Sequence, residues 1–508
     1  MVNDIDDAAI DILDGERPVT PHLRPAVAPG RGRHAGRQER IGHLVTGSRG
    51  RLVAMVVAVI AICAVAGLAV IPGSPAQVVA WSLAVLTLDV ALVFLAVRDF
   101  PTFLLALLVV RPLVDGLDAG GGLISLQTFV GALFILAASV WLWRRRVAGR
   151  WVRPSVVGFG VGALVLGCAI SLLVSIDVGV SAASTVKLGS VWLMVIAIEQ
   201  VLQDRDQSWG NGVDVRLTRA ISLSAVPVLV WCVADVINGS SFVDPQSLQW
   251  RATGPFVHPN VLGAYLLVVI VVNVSVALQR GYPGRLWHGL LLVPLVVALG
   301  FTYARFAWGL TLVAVLFLLW RFARWLIGPV VLALVVAVLS APRLADRVTG
   351  LWATPGPAPG VPANSMAWRV GYWQYLLELA NLRPLNGYGY GTAVLVGGVD
   401  LEAHNVWVQS YLEIGLFGTL TLLAMVASIA VVLRRRRCGV SVIPHATAMA
   451  LAVALLVSTM TENVLSETTI LWYAVIVLAM GYIPAMAQRG VRSDPPDVGQ
   501  GAGASVAP

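Results

Sequence analysis

The chain has 508 residues, of which 58% are hydrophobic and only 12% are charged. This composition excludes an ordinary soluble domain and is typical of a protein that crosses the membrane many times. The formal net charge of +8 comes from arginines in short segments between apolar runs, so it indicates membrane topology and gives no support for nucleic-acid binding.

The two ends of the chain differ from its middle. Residues 1–51 are polar and rich in proline and arginine, and residues 489–508 are rich in glycine, proline and aspartate. Segments of this kind bury too little apolar surface to fold alone, so we expect both to be disordered cytoplasmic tails.

About fourteen apolar runs of membrane-spanning length lie between the tails. Their approximate cores are 52–71, 76–97, 100–115, 122–143, 155–174, 184–203, 217–237, 259–279, 287–303, 306–325, 327–341, 405–433, 444–461 and 468–487. The predicted fold is therefore an all-α bundle of 12–14 transmembrane helices, with eleven in residues 52–341 and three in 404–488. The third and eleventh runs are short, and whether they span fully stays open.

Arginines alternate between the predicted loops and favour a cytoplasmic location for both termini. This topology leaves one long extracytoplasmic loop, residues 342–403, on the outer side of the cytoplasmic membrane. Within the loop, Asn364 and Ser365 are candidate helix caps, and large apolar residues recur at helical spacing from Met366 to Leu382. We predict an amphipathic helix there, lying along the outer membrane boundary.

Six short polar motifs fall on this outer side. They are Arg251 to Asn260, Thr302 to Arg305, Trp368-Arg369, Asn386 to Gly391, His404-Asn405 and Glu462-Asn463. Ionisable groups near a bilayer are costly to place and are candidate functional residues.

In this order, the motifs resemble those of the O-antigen ligase and O-antigen polymerase family of bacterial membrane glycan transferases. The resemblance rests on Arg-x-x-Gly-Pro-Phe-x-His-Pro-Asn-x-Leu-Gly at 251–263, Thr-x-x-Arg-x-x-Trp at 302–308, Trp-Arg at 368–369, Asn-Gly-Tyr-Gly at 386–389 and His-Asn with Tyr-Leu-Glu-x-Gly-Leu-x-Gly at 404–418. The chain departs from the family at Ala304, where Ser usually precedes the arginine.

The resemblance implies a metal-independent glycosyltransferase that acts on undecaprenyl-diphosphate-type, polyprenyl-linked glycan in cell-envelope polysaccharide biosynthesis. By motif, its catalytic residues correspond to His404, Arg305 and Arg369, with Arg251 as a further candidate. No cofactor is implied. The partners would be the lipid-linked glycan donor, a saccharide or lipid-linked acceptor, and membrane lipid.

The chemistry of the motifs agrees with these roles. Arginine binds phosphate oxygens through two N–H groups and keeps its charge, so it suits a leaving diphosphate. No Asp-x-Asp or similar ligand cluster lies in the outer motifs, and the four cysteines have no metal-ligand spacing, so no metal site is predicted. The alternative is that Arg251 and Arg305 only anchor helix ends at the interface.

Among the other polar residues, His404 is the candidate base because an ordinary histidine exchanges protons near neutrality. An exposed interfacial histidine is the alternative. His258 is a substrate-binding candidate, or part of a helix start with Pro259. Asn260 and Asn405 orient sugar hydroxyls or cap their helices.

The remaining candidates are Glu413, Glu462 and Tyr388. Asn405, Gln409 and Glu413 share one helix face, and we favour a structural role for Glu413. Glu462 either accepts an acceptor hydroxyl or pairs with an arginine. Tyr388 either stacks on a sugar within a glycine-rich loop or belongs to a plain flexible loop.

The leading hypothesis is thus an enzyme, and the sequence leaves polymerase and ligase open, with a slight preference for polymerase. A membrane transporter or lipid-oligosaccharide flippase is the alternative, although no internal repeat supports it. A non-catalytic envelope scaffold is the third possibility, and it would not need outward arginines together with a histidine.

Overall fold

The computed structural model describes residues 75–116, 126–204, 212–239, 242–243, 250–279, 281–282, 284–340, 365–399, 402–434 and 443–483. The predicted tails, the first apolar run and all of residues 342–364, including Asn364, lie outside these residues. The expectations for them stay predictions.

The described chain is helical apart from one short pair of antiparallel strands. The helices are α1 Pro75–Arg98, α2 Phe100–Gly116, α3 Leu126–Val147, α4 Val156–Ser171, α5 Val178–Leu202, α6 Val213–Asn238, α7 Pro259–Ala277, α8 Arg285–Phe301, α9 Arg305–Phe322, α10 Ile327–Ser340, α11 Ser365–Ala380, α12 Ala393–Gly397, α13 Val406–Arg434, α14 His445–Ser458 and α15 Thr468–Tyr482. Strands β1 Phe242–Val243 and β2 Trp250–Arg251 pair between α6 and α7.

Seven of the described helices are long and apolar enough to cross a membrane, so the protein is a multi-pass, all-α membrane protein. Six of the seven are α3, α5, α6, α7, α9 and α13, and the seventh is α4 with its short 3-10 extension. Every predicted run from residue 76 onward contains a helix, yet several of these helices are shorter than a full span. The count of fourteen spans therefore stays a prediction.

Small residues let α4 and α13 lie close together. A Cβ atom on Gly160 would be 2.3 Å from the Ser428 hydroxyl oxygen, and one on Gly167 would be 2.9 Å from the Thr421 hydroxyl oxygen. Lipid tails are as apolar as leucine, so close packing of small residues is what draws membrane helices together. Elsewhere α5 packs on α15, α7 on α8 and α9, and α9 on α14.

A break at Gly415 interrupts α13 within the predicted apolar run over 405–433. Gly415 has φ 61° and ψ −161°, which only glycine adopts easily. The Pro384–Gly391 segment fills the break, because Leu416 N donates to the Pro384 carbonyl at 2.8 Å and Gly389 N donates to the Glu413 carbonyl at 2.7 Å. The backbone groups released by the break are thus paired within the protein, as a membrane protein requires.

Helix α11, residues Ser365–Ala380, corresponds to the predicted amphipathic helix at Met366 to Leu382. Tyr372, Leu376 and Ala380 are buried and form a core cluster with Leu412 of α13. This contact fixes the helix against the bundle and determines where its arginine lies.

Candidate active site

Glu462 is the centre of a group of polar side chains that come from four separate motifs. Its Oε1 accepts from Asn260 Nδ2 at 3.0 Å and lies 3.4 Å from Arg369 Nη2. Its Oε2 lies 3.5 Å from His404 Nδ1. We call this group, together with Arg251 and His258, the Glu462 cluster. The structure therefore brings together six of the residues predicted from sequence.

Arg251 supports the cluster through its contacts with Asn260 and Thr302. It is buried, its Nη2 donates to Asn260 Oδ1 at 2.9 Å, and its Nε donates to the Thr302 carbonyl at 2.8 Å. Because Asn260 also donates to Glu462, a chain of bonds runs from Arg251 to the carboxylate. These contacts make Arg251 a positioning residue for Asn260.

His258 caps α7 through its ring. Its Nδ1 accepts from Asn260 N at 3.2 Å, so its ring proton belongs on Nε2, and Pro259 occupies the first helical position. Burial, the nearby positive charge of Arg251 and, more weakly, the His404 and Arg369 side chains lower the pKa of His258 to about 4, although Glu462 opposes the shift. His258 is thus a neutral cap, and the helix-start interpretation of the sequence is confirmed.

Arg369 reaches the cluster from α11. Its Nη1 donates to the Thr461 carbonyl at 2.5 Å, and its side chain is 17% exposed. One turn later on the same helix face, Trp373 Nε1 donates to the Ala403 carbonyl at 2.6 Å. One face of α11 therefore binds the carbonyls of Ala403 and Thr461, the residues directly before His404 and Glu462.

His404 lies in a backbone segment that is held on both sides. Its φ of 48° is in the left-handed region, which costs a non-glycine residue about 1–2 kcal/mol. Asn405 Nδ2 donates to the Met460 carbonyl at 3.2 Å, and its Oδ1 accepts from Trp407 N and Val408 N, which caps α13. The capping alternative for Asn405 is thereby confirmed, whereas Asn260 is no cap and bridges Arg251 to Glu462.

Opposing effects act on the Glu462 carboxyl. Burial alone raises its pKa, but the hydrogen bond from His404, the charges of Arg369 and His404, and the bond from Asn260 outweigh burial and lower the pKa. Glu462 is therefore a carboxylate at neutral pH. It pairs with an arginine, which was one of the two roles predicted for it.

Arg305 begins α9, immediately after a tight turn from α8. Thr302 Oγ1 and Trp308 Nε1 both donate to the Leu299 carbonyl at 2.7 Å, so the outer residues of the Thr-x-x-Arg-x-x-Trp motif close the turn. Arg305 is half-buried and lies three residues after Thr302, whose carbonyl accepts from Arg251. The turn thus ties the first two motifs together.

Glu413 belongs to a second, structural network. Its Oε1 accepts from Gln409 Nε2 at 2.9 Å and from Ala393 N at 3.0 Å, which fits the structural role favoured from sequence. Asn463 extends this network, because its Nδ2 contacts Gln409 Oε1 at 2.9 Å and Glu402 Oε2 at 2.8 Å. The network fixes the segment that follows Glu462.

Tyr388 has contacts of a different kind from those expected for a sugar platform. Its hydroxyl donates to the Leu379 carbonyl at 3.1 Å, and the Arg383 guanidinium lies 4.7 Å from its ring centre. The glycines around it approach the chain itself, since a Cβ on Gly387 would lie 2.4 Å from the Glu413 carbonyl. Tyr388 therefore braces the loop that fills the α13 break.

Sequence reasoning missed several residues that shape the site. Trp373, the Thr461 carbonyl and Glu402 all hold cluster segments in place. Asn463, named with Glu462 among the outer motifs, takes part in the same contacts. Among the described residues, no group of three or more His, Cys, Asp or Glu side chains could hold a metal ion.

Comparison with known families bears on this geometry. Residues 289–423 match the family model described as O-antigen ligase. The resemblance to the O-antigen ligase and polymerase family is thereby confirmed, and it supports an enzymatic role in glycan assembly. A comparison with curated proteins found no match.

The family match divides the Glu462 cluster. Of the cluster, Arg369 and His404 lie within the matched residues, whereas Arg251, His258, Asn260 and Glu462 lie outside them. Arg305, which is not a member of the cluster, also lies within the match. Contacts in the structure join the two sets, because Asn260 and Glu462 contact one another and Glu462 contacts Arg369 and His404.

Proposed function

We propose that the protein transfers a glycan from a polyprenyl-diphosphate carrier to a saccharide or lipid-linked acceptor without a metal cofactor. One observation supports this most strongly: an arginine and a histidine from different motifs meet on the two oxygens of one carboxylate, Glu462. Such an arrangement places an anion-binding group beside a proton acceptor, and glycosyl transfer from a diphosphate needs both.

Arg369 and Arg305 neutralise the leaving diphosphate. The Arg369 side chain is partly exposed, and its Nη2 is only loosely paired with Glu462 at 3.4 Å, so a phosphate oxygen is able to compete for its donors. Arg305 begins a helix, where the positive end of the helix dipole also favours an anion. Positive groups fixed at the position of the developing charge stabilise the transition state.

His404 acts on the acceptor. With its Nδ1 proton directed at Glu462, the other ring nitrogen, Nε2, is left unprotonated and takes the proton of the acceptor hydroxyl. The hydroxyl oxygen then forms a bond to the anomeric carbon of the donor sugar. The bond from that carbon to the diphosphate oxygen breaks, and polyprenyl diphosphate leaves with the electron pair.

Metal independence rests on the charges present around Glu462. Arginine side chains supply the positive charge that a divalent ion would otherwise supply. Arg251 is placed outside the chemistry in this proposal, because its donors are directed to Thr302 and Asn260. It sets the position of Asn260 and, through it, of Glu462.

The proposed location is the cytoplasmic membrane, with both termini inside and the cluster on the outer face, because arginines concentrate in the alternate loops. Val257 and Trp325 are strongly exposed and lie at opposite ends of this topology. A cysteine in place of Val257 should react with an impermeant maleimide added to intact cells, and a cysteine in place of Trp325 should not. If only the Trp325 variant reacted, the orientation would be the opposite of the one proposed.

The function is tested with purified protein and polyprenyl-diphosphate-linked oligosaccharide. We expect free polyprenyl diphosphate to be released, with a ladder of longer glycans if the protein is a polymerase, or a single transferred product on an added acceptor if it is a ligase. Arg369→Ala should strongly reduce both signals. Arg321→Ala, at the other end of α9, is the matched control and should keep them. Carrier release that is absent from the wild type with every acceptor would refute the proposal.

A further inference from the structure

A cavity lies beside the Glu462 cluster. Its volume is about 570 Å³, within the roughly 300–1,000 Å³ usual for small-molecule sites. Its wall includes Val257 and Val261, which flank His258 and Asn260 in the sequence, and Ser466 and Glu467, which follow Glu462 closely. The cavity therefore adjoins the cluster along two of its segments.

The polar groups of this cavity are of the kinds that bind sugar hydroxyls. Asp115, on the wall, accepts from Arg111 Nη1 at 2.7 Å, from Gln127 Nε2 at 3.1 Å and from Thr469 Oγ1 at 2.7 Å. Arg111 is 3% exposed, and its Nε has no hydrogen-bond partner. Such a buried and incompletely satisfied group in a cavity wall calls for a functional explanation.

The charges of its lining residues distinguish this cavity from the diphosphate site. Its one arginine is paired with Asp115, and Glu467 adds a second carboxyl group to the wall. A diphosphate would therefore meet carboxyl groups with no unpaired arginine among the lining residues. A neutral ligand rich in hydroxyls suits carboxyl, amide and hydroxyl groups together, and the Trp231 ring on the same wall offers a face for a sugar ring.

We infer that this cavity, lined by Asp115, Gln127, Trp231 and Glu467, binds the saccharide of the acceptor and presents its hydroxyl to the Glu462 cluster. This inference rests on the proposed function and adds a separate subsite to it. Glu467 and Gln127 are assigned as specificity residues that bind hydroxyl groups, while His404 remains the base.

The state of Glu467 agrees with this role. Burial and the negative charges of Glu402 and Asp115 raise its pKa to about 8, while Lys187 opposes the shift. At neutral pH the side chain is thus a carboxylic acid, which both donates and accepts hydrogen bonds, as a sugar hydroxyl does.

Two probes in detergent test the assignment. One is the free oligosaccharide released by mild acid from the cells' own lipid-linked glycan, and the other is undecaprenyl diphosphate without glycan. We expect Glu467→Ala and Gln127→Ala to weaken saccharide binding roughly tenfold, the scale of one lost hydrogen bond, and to leave carrier binding unchanged. Arg369→Ala should do the reverse.

Val257→Trp provides a second test, because Val257 is 86% exposed and its replacement should fill the cavity without disturbing the core. It should block saccharide binding and leave the melting temperature unchanged. Saccharide binding that is absent from the wild type, or unchanged in all three cavity variants, would overturn the inference. So would a loss of carrier binding in these variants. A wild type that binds the saccharide but transfers no glycan would instead count against the proposed function.

Discussion

Two carboxylates near opposite ends of α15 differ in what surrounds them. Glu199 is completely buried, accepts from Ser155 N at 2.8 Å and from the Tyr482 hydroxyl at 2.6 Å, and also accepts from the Ser155 hydroxyl. The Glu462 side chain is 20% exposed, and Arg369 Nη2 and His404 Nδ1 lie 3.4 and 3.5 Å from its oxygens.

The difference separates a structural carboxylate from a functional one. The neutral donors around Glu199 satisfy it at short distances, join the start of α4 to the end of α15, and leave no place for a ligand. Arg369 and His404 are held at longer distances from Glu462 and near solvent, so an incoming anion is able to take over part of the bonding of Arg369. Both regions contain a largely buried acidic side chain, and only the partners and the exposure of that side chain distinguish the two regions.

The arginines should show the largest effect. Arg369→Ala and Arg305→Ala should lower transfer by roughly 10²–10³, because a fixed positive group at the leaving diphosphate is lost. Arg→Lys should be poorly tolerated at both positions, since lysine keeps the charge but loses the paired donors. Initial rates of carrier release measure this, with Arg321→Ala as the control. If Arg321→Ala were as inactive as the two variants, the loss of transfer could not be assigned to the diphosphate site.

Paired substitutions of the two carboxylates test the comparison itself. Glu462→Gln should cut turnover roughly 10–100-fold, the scale of a lost charge-assisted hydrogen bond, with little change in melting temperature. Glu199→Gln should lower the melting temperature and leave the turnover of the folded protein unchanged. Thermal unfolding and rate, measured on the same preparations, decide between them. Equal behaviour of the two variants would contradict the assignment of separate roles.

The sequence predicted the members of the Glu462 cluster better than their arrangement. Each apolar run from residue 76 onward contains a described helix, and the alternation of arginines predicted that Arg251, Arg369 and His404 lie on one side. That Glu462 is the shared partner could not be predicted, because hydropathy does not show which loops meet. The contact depends on α11 docking against α13 through Tyr372 and Leu376, side chains far from Glu462 in the sequence.

The role of the glycine-rich loop is a second feature that could not be predicted from the sequence. The pattern at Gly387 to Gly391 suggested a flexible or sugar-binding loop, and the structure shows it filling the break at Gly415. Glycine within a helical run does not by itself specify a break, so Gly415 did not predict one. Long-range backbone pairing decided the role of the loop.

A smaller effect is expected from pH. The raised pKa of Glu467, about 8, means that the folded protein holds a proton that the unfolded chain releases near its ordinary value of 4.5. Stability from this group should therefore be complete below about pH 4.5 and be lost as the pH rises through 8. Melting temperatures from pH 5 to 9 should fall less in Glu467→Gln than in the wild type. Parallel curves would show that Glu467 does not titrate in this range.

The smallest expected effect is that of chelation. Because arginines supply the positive charge at the diphosphate, EDTA should leave the rate of transfer unchanged. Transfer that disappears with EDTA and returns with magnesium or manganese would contradict metal independence while leaving the roles of Arg369 and His404 to be tested separately.

The division of labour around Glu462 is tested most directly by measuring donor affinity and turnover separately in Arg369→Ala and His404→Ala. Arg369→Ala should weaken binding of the lipid-linked donor as well as turnover, because a phosphate contact is lost in the ground state and the transition state. His404→Ala should keep donor affinity nearly intact and lose roughly 10² in turnover, the usual scale of general acid–base catalysis. An equal loss of donor affinity in both variants would contradict this account, because His404 would then belong to the donor site.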